Sequence, residues 1–551
     1  MFYIDSLMPV KWNPYIKAGA ESWNKAFEKI GFKDVICVKE FPKNDTLFNA
    51  NSFDCMTIRY SASWLNSAQT TIHSDTRTGE ILNASILINA NMISVQYADR
   101  IGATVAIDPR VRTTVFPQEI QGELIQAAIA QAVGTGLGLT MNWGASCAYP
   151  VDSLRSASFT QKYGLASSVM GGVIINDVAT EEDVRNGVCL VNTKPGPYDE
   201  LVIKYLYQPI YASSLQEEKE TLDSWIREHT GDPYYAYIRN QSRFDSDPRN
   251  SRGSLGDDHL KSFDYMLPNV RKGFENYYSW FAKEDRDFLM RRRVHSTLSE
   301  RLSGRIYAIL SYIGGIYLND IREKDAIPSY SMVDREKQKA ALSKALELAK
   351  NLDWVDDTAH LNEFEISDKK ADRLRLDIFN GIFGRLPYVE VCTERFPDAA
   401  YTASEYLDDI YGIVWEGVLK HRPLENFERA LQTAFLESII STSTATAPIG
   451  SFKASKTGFA ATGKPEINLA ALRNGGKVDM KMYSLQNAEE VAGFSSIPPI
   501  YTNQTKIAAY YFDLLMRTKD MLKKAISTAP EADRSHYDLL IYRINKATEI
   551  E

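Results

Sequence analysis

The feature that most constrains the fold is an uncharged stretch, Leu124–Val151, which contains no Asp, Glu, Lys or Arg. Apolar residues recur in its first part at three- and four-residue steps, at Leu124, Ile125, Ala128, Ile129 and Ala132. This spacing is typical of the buried face of a helix and predicts one from Glu119 to about Gly134. Glycines and Pro150 interrupt the remainder, so the helical part is too short to cross a bilayer. The sequence therefore predicts a buried helix followed by a turn.

The end of this helix has the outline of the zinc-protease motif H-E-x-x-H-x-x-G-x-x-H, with another residue at each functional position. When the motif glycine is placed on Gly138, Gln131, Thr135 and Met141 occupy the three histidine positions, and Ala132 occupies the glutamate position. Zinc in proteins prefers thiolate, imidazole or carboxylate ligands, and alanine cannot accept a proton from an attacking water. The sequence therefore predicts neither a zinc ligand set nor a catalytic base at these positions.

Flanking segments make this pattern more specific than the twelve residues alone. Those that follow the helix are Tyr149–Arg155, Phe159–Gly164 and Ser168–Met170, and more distant ones include Phe2–Asp5, Asp75–Ile81 and Leu255–Asp258. In these segments the chain resembles the bacterial zinc-dependent metallopeptidases of metzincin type that carry additional uncharacterised domains. The resemblance identifies Gly138 as the motif turn and Met170 as the methionine of the Met-turn. Gly171 and Gly172 follow Met170 where the family typically has an Asp-Tyr pair.

The resemblance implies an α+β fold. We expect a metzincin-like (zincin) domain with a mixed sheet and an active-site helix over residues 1–185, a mainly helical extension over 186–330, and a helical C-terminal domain over 331–551. A loop-rich insert is predicted near 441–500, where Ser, Thr, Gly and Pro are frequent. Zinc is expected in the family, but no cofactor is expected here because the ligand positions are substituted.

Local patterns predict the individual elements. Strands are expected at 2–5, 54–60 and 81–88, and an amphipathic helix at 11–30. Helical periodicity further predicts helices near 258–283, 286–318, 330–352, 371–383, 397–419, 425–441, 505–527 and 531–548.

Charge and composition limit the classes of partner. The 551 residues carry a formal net charge of −8, which leaves no broad basic surface for nucleic acid. The sequence predicts no transmembrane segment, and Met1–Asp5 lacks the basic region of a signal peptide. Because relatives usually have extra sequence before this point, we expect an exported protein whose signal and upstream domains precede Met1.

Two other sets of residues could in principle bind a metal: an acidic cluster, and the histidines and cysteines. Asp245, Asp247, Asp257, Asp258 and His259 form an acidic cluster that is compatible with calcium, or with a loop paired to Arg243, Arg249 and Arg252. The seven histidines never form an H-x-x-x-H pair, and the five cysteines form no C-x-x-C pair. These residues therefore indicate no second metal site.

The sequence predicts a catalytically inactive homologue of a zinc metallopeptidase. It would bind a peptide, protein or glycan in a vestigial cleft, or act as a scaffold. The alternative is an active metallopeptidase or other hydrolase that uses a relocated metal or another catalytic group.

Overall fold

The computed structural model describes residues 1–42, 44–45, 47–65, 68–238, 246–250, 254–321, 325–356, 358–360, 369–442 and 504–548. Two compact units are present. The first comprises Met1–Leu374 and Tyr388–Thr402, and the second comprises Arg375–Pro387 and Ala403–Glu551. The three predicted domain ranges stay a prediction.

A five-stranded sheet is the centre of the amino-terminal part of the first unit. Its strands are β1 (Phe2–Ile4), β2 (Val38–Glu40), β3 (Met56–Ser61), β4 (Gln69–Ser74) and β5 (Ile81–Asn89), in the order β2-β1-β3-β5-β4. The first three and β5 are parallel, whereas β4 runs antiparallel to β5 at one edge. A mixed sheet with a largely helical remainder confirms the predicted α+β class.

Three helices pack around this sheet near the amino terminus. They are α1 (Asn13–Glu21), α2 (Asn24–Glu28) and α3 (Ala90–Thr104). The single helix predicted over 11–30 is thus wrong in one respect, because it is divided at Ser22 and Trp23. Ser22 donates its hydroxyl to the Gly19 carbonyl at 2.7 Å, and the buried Trp23 indole donates to the Ala130 carbonyl at 2.8 Å.

The predicted buried helix is α4 (Gln118–Gly136). It packs along α1, where Gly19 lies so close to α4 that a Cβ would stand 2.5 Å from the Gln126 carbonyl oxygen. Ile125, Ile129 and Val133 of α4 share one apolar core with Ile58 and Ile86 of the sheet. The uncharged composition of this segment is explained by its burial between α1 and the strands.

The rest of the first unit is mainly helical. Its elements are α5 (Ala157–Tyr163), α6 (Glu181–Arg185), α7 (Pro197–Tyr207), α8 (Leu215–Arg227), α9 (His259–Phe281), α10 (Leu289–Leu310), β6 (Ile316–Leu318), β7 (Tyr330–Met332) and α11 (Arg335–Lys350). Strands β6 and β7 form an antiparallel pair. The helices predicted over 286–318 and 330–352 were therefore too long. Gly314, with φ of +61°, lies between α10 and β6, and Asp334 caps the start of α11 by accepting from Glu336 N and Lys337 N.

Two helices have residues in both units, α12 (Lys370–Gly384) and α13 (Leu386–Arg395). The second unit continues with α14 (Ala403–Val414), α15 (Glu416–Leu419), α16 (Asn426–Thr442), α17 (Gln504–Ala525) and α18 (Glu531–Thr548). Its core contains Phe379, Phe383 and Phe435, whose rings contact one another, and Trp415 packs edge-on against Phe435. The insert predicted near 441–500 lies almost entirely outside the described residues.

Candidate functional site

The end of α4 brings two of the predicted site residues into contact. Gly138 has φ of +91°, in the left-handed region that favours glycine, and Leu139 N donates to the Gly134 carbonyl at 3.0 Å. This reversal folds the chain back along the helix. As a result, the Gln131 side-chain amide donates to the thioether sulfur of Met141, with 3.1 Å between Nε2 and Sδ.

The other two motif positions face different partners. The Thr135 hydroxyl donates to the Gln131 carbonyl of its own helix at 3.3 Å. Ala132 is buried, and its carbonyl accepts a hydrogen bond from the Thr70 hydroxyl at 3.0 Å. The side chains of Gln131, Thr135 and Met141 are half-buried. Each of these residues is therefore engaged within the protein.

Met170, the predicted methionine of the Met-turn, lies directly against α4. It is fully buried, and a Cβ added to Gly134 would stand 2.6 Å from the Met170 sulfur. The Met170 carbonyl accepts from Asn142 N at 3.0 Å, which joins this segment to the turn after Gly138. Helix, turn and methionine thus form one packed unit.

A buried carboxyl group supports this methionine segment. Asp199, near the start of α7, accepts hydrogen bonds from the Ser168 hydroxyl at 2.5 Å, Val169 N at 2.9 Å and Gly196 N at 2.9 Å. Burial raises the pKa of Asp199 to about 7, although these three hydrogen bonds act in the opposite direction. Sequence reasoning missed this residue. Its local signal was the Gly196-Pro197 start of a helix with an acidic residue in the first turn.

The edge strand β4 lies beside the same end of α4. Besides the bond from Thr70 to Ala132, a Cβ added to Gly136 would stand 3.3 Å from the Ala84 side chain and 3.7 Å from that of Thr70. On its other side, β4 has no partner strand among the residues that the structure describes. An edge of this kind presents unpaired main-chain groups that an extended segment can use.

An aromatic segment covers the turn after Gly138. The Asn142 side chain donates to the Ala236 carbonyl at 2.9 Å and accepts from Ile238 N at 3.2 Å. Between them, the Tyr237 hydroxyl lies 3.3 Å from that of Thr140. Gly172, two residues after Met170, has φ of +93° and no neighbour within 4 Å of an added Cβ. The segment from Ala236 to Ile238 therefore covers the turn.

The motif residues do not fit zinc. The available donors are an amide, a hydroxyl and a thioether, all neutral, and the amide and thioether already bond each other. Ala132 offers no group that could hold or move a proton. No reaction step through zinc follows from these side chains.

The acidic cluster is largely taken up by protein partners. Asp247 pairs with Arg249 at 2.7 Å, Asp257 accepts from Val151 N at 3.1 Å, and Asp258 caps α9. The His259 ring nitrogen Nε2 lies 2.9 Å from the Pro248 carbonyl. Asp245, Arg243 and Arg252 lie outside the described residues. Within the described ranges, no group of three or more His, Cys, Asp or Glu side chains is arranged to hold a metal.

All five cysteines are free thiols. None of the helices that the structure describes combines the length and hydropathy that a membrane crossing needs.

A comparison with models of protein families identifies a family for this chain. The model of the family described as Met-zincin matches residues 113–422, more than half of the 551-residue chain. This range includes α4, the Gly138 turn and Met170, and it leaves out the five-stranded sheet. Neither a curated protein nor a solved structure matches the chain. The family match confirms the predicted relationship to metzincin-type metallopeptidases: the chain belongs to the Met-zincin family.

Proposed function

We propose that this chain is a catalytically inactive Met-zincin that binds an extended peptide along β4. The observation that carries the proposal is the contact between Gln131 and Met141, at the first and third ligand positions of the motif. Two side chains that bond each other, and that are poor zinc ligands, leave no basis for a tight zinc site.

The absence of a base supports the same proposal. Peptide hydrolysis at a zinc site needs a group that takes a proton from the attacking water. At the glutamate position, Ala132 presents a methyl group, and its carbonyl is occupied by Thr70. Regaining metal alone would therefore not restore the proton transfer.

Peptide binding is supported by the edge position of β4. A peptide that adds to a sheet edge obtains affinity from main-chain hydrogen bonds and specificity from alternate side chains, and neither requires a metal. In metzincins the substrate lies antiparallel along the corresponding edge strand. Retention of α4, the turn and Met170 in one packed unit would preserve the floor of such a groove.

A peptide library tests both parts of the proposal. The purified protein is incubated with a diverse library with and without a chelator, and mass spectrometry identifies captured and cleaved peptides. We expect peptides to be captured intact, and we expect the same intact peptides in the samples with and without the chelator. Cleavage that the chelator abolishes would support the alternative of an active hydrolase with a relocated metal.

A captured peptide then allows a direct test of strand addition. Copies of it are methylated at one backbone nitrogen at a time, which removes one main-chain donor and leaves the side chains intact. Because the N–H groups of an antiparallel strand point alternately toward and away from the neighbouring strand, we expect every second methyl group to weaken binding. A flat profile along the peptide would contradict addition to β4.

Export is part of the same proposal, and it rests on the family relationship. Fractionation of the source cells, with immunodetection of the protein, provides the test. Confinement to the cytoplasmic fraction would contradict export.

A further inference from the structure

An exposed tryptophan, Trp64, lies at the end of the sheet where β4 begins. The Trp64 side chain belongs to the connection between β3 and β4 and is 81% exposed. The Trp64 carbonyl accepts a hydrogen bond from the Asn91 side-chain amide at 2.7 Å, in the first turn of α3. Burial of this exposed indole against a partner would be favourable.

The strand directions define which end of a bound peptide meets this residue. β4 begins at Gln69, opposite Leu87 near the carboxyl end of β5, and it ends at Ser74. Asn91 follows the carboxyl end of β5, so Trp64 lies at the end of the sheet where β4 begins. A peptide that adds antiparallel to β4 passes Ser74 first and Gln69 last. Its carboxyl-terminal part therefore leaves the sheet at the end where Trp64 stands.

We infer that Trp64 is a specificity-determining anchor for an apolar side chain in the carboxyl-terminal part of the bound peptide. The inference rests on the proposed function, and it names the class of peptide: an extended segment with an apolar or aromatic residue toward its carboxyl end. Tryptophan is among the residues that most often dominate binding energy when a partner removes them from water. The hydrogen bond from Asn91 restrains the Trp64 carbonyl, which reduces the entropy that binding must overcome.

The test uses the full chain and the intact peptides captured from the library. Affinity is measured for the wild type, Trp64→Ala, Trp64→Phe and a control, Leu215→Ala, which removes an apolar side chain that is 85% exposed on α8. We expect Trp64→Ala to weaken binding at least about tenfold, Trp64→Phe to retain part of the affinity, and the control to bind as the wild type does. Replacing the apolar residue of the peptide by alanine should cause the same loss in the wild type and little further loss in Trp64→Ala.

Fluorine NMR gives a readout that does not depend on affinity. The protein is labelled with 5-fluorotryptophan, and the Trp64 resonance is identified by its absence from Trp64→Phe. We expect this resonance to shift when peptide is added. If no peptide binds the wild type, the proposed function fails. If peptides bind with alternating sensitivity to N-methylation but Trp64→Ala has wild-type affinity, only the Trp64 inference is overturned.

Discussion

Replacement of Gly134 by alanine tests the packing of α4 on Met170. The added Cβ would stand 2.5 Å from Cζ2 of Trp23 and 2.6 Å from Sδ of Met170, where ordinary contacts need about 3.5 Å or more. Both neighbours are fully buried, and Trp23 is also held by its bond to the Ala130 carbonyl. Overpacking of a core typically costs about 1–3 kcal/mol. Alanine recovers about 1 kcal/mol of helix propensity, so we expect a net loss of about 0–2 kcal/mol.

Gly304→Ala is the matched control, since Gly304 lies within α10 and nothing lies within 4 Å of its added Cβ. Helix propensity alone should stabilise this variant by up to about 1 kcal/mol. The midpoint of urea unfolding, followed by intrinsic fluorescence, is compared for both variants and the wild type. If Gly134→Ala is tolerated as well as Gly304→Ala, neither Met170 nor Trp23 packs against the helix as described.

Two further predictions concern the carboxyl group beneath the methionine and the motif itself. Burial raises the pKa of Asp199 from 3.8 to about 7. Between these two pH values the carboxyl group is protonated in the folded protein and ionised in the unfolded chain. The group therefore lowers the free energy of unfolding by about 1.4 kcal/mol for each unit by which the pH rises in this range. Asp199→Asn should remove this dependence in urea unfolding, and equal pH slopes in variant and wild type would contradict it. The fourfold variant Gln131→His, Ala132→Glu, Thr135→His and Met141→His should bind zinc in a calorimetric titration, because these positions then carry the family's ligands and base. A folded variant without zinc affinity would mean that the helix and turn are not arranged as in the family.

Local signals in the sequence were sufficient for the helix and turn of the candidate site. The period of the apolar residues in α4 and the glycine at position 138 act over a few residues, so they can be recognised without knowing the fold. Strands β1, β3 and β5 lie close to their predicted positions for the same reason. Where glycine or a capping aspartate overrides helical periodicity, as at Gly314 and Asp334, the predicted helices were too long.

The parts of the site that depend on distant residues could not be predicted. β4 has the sequence Gln-Thr-Thr-Ile-His-Ser, mostly polar because an edge strand is only partly covered, so it lacks the apolar alternation that marks a strand. Thr70 reaches Ala132 across 62 residues of sequence, and Asp199 reaches Ser168 across 31. Such partners become neighbours only through the packing of the sheet, α4 and α7.

We propose that the motif positions no longer bind zinc, and the zinc stoichiometry of the wild-type protein tests this proposal most directly. The full chain is saturated with zinc and dialysed, and the zinc that remains bound per chain is measured by elemental mass spectrometry. We expect far less than one tightly held zinc per chain, because Gln131 and Met141 bond each other and provide no strong ligand. One retained zinc per chain, lost when both Gln131 and Met141 are replaced by alanine, would contradict the account.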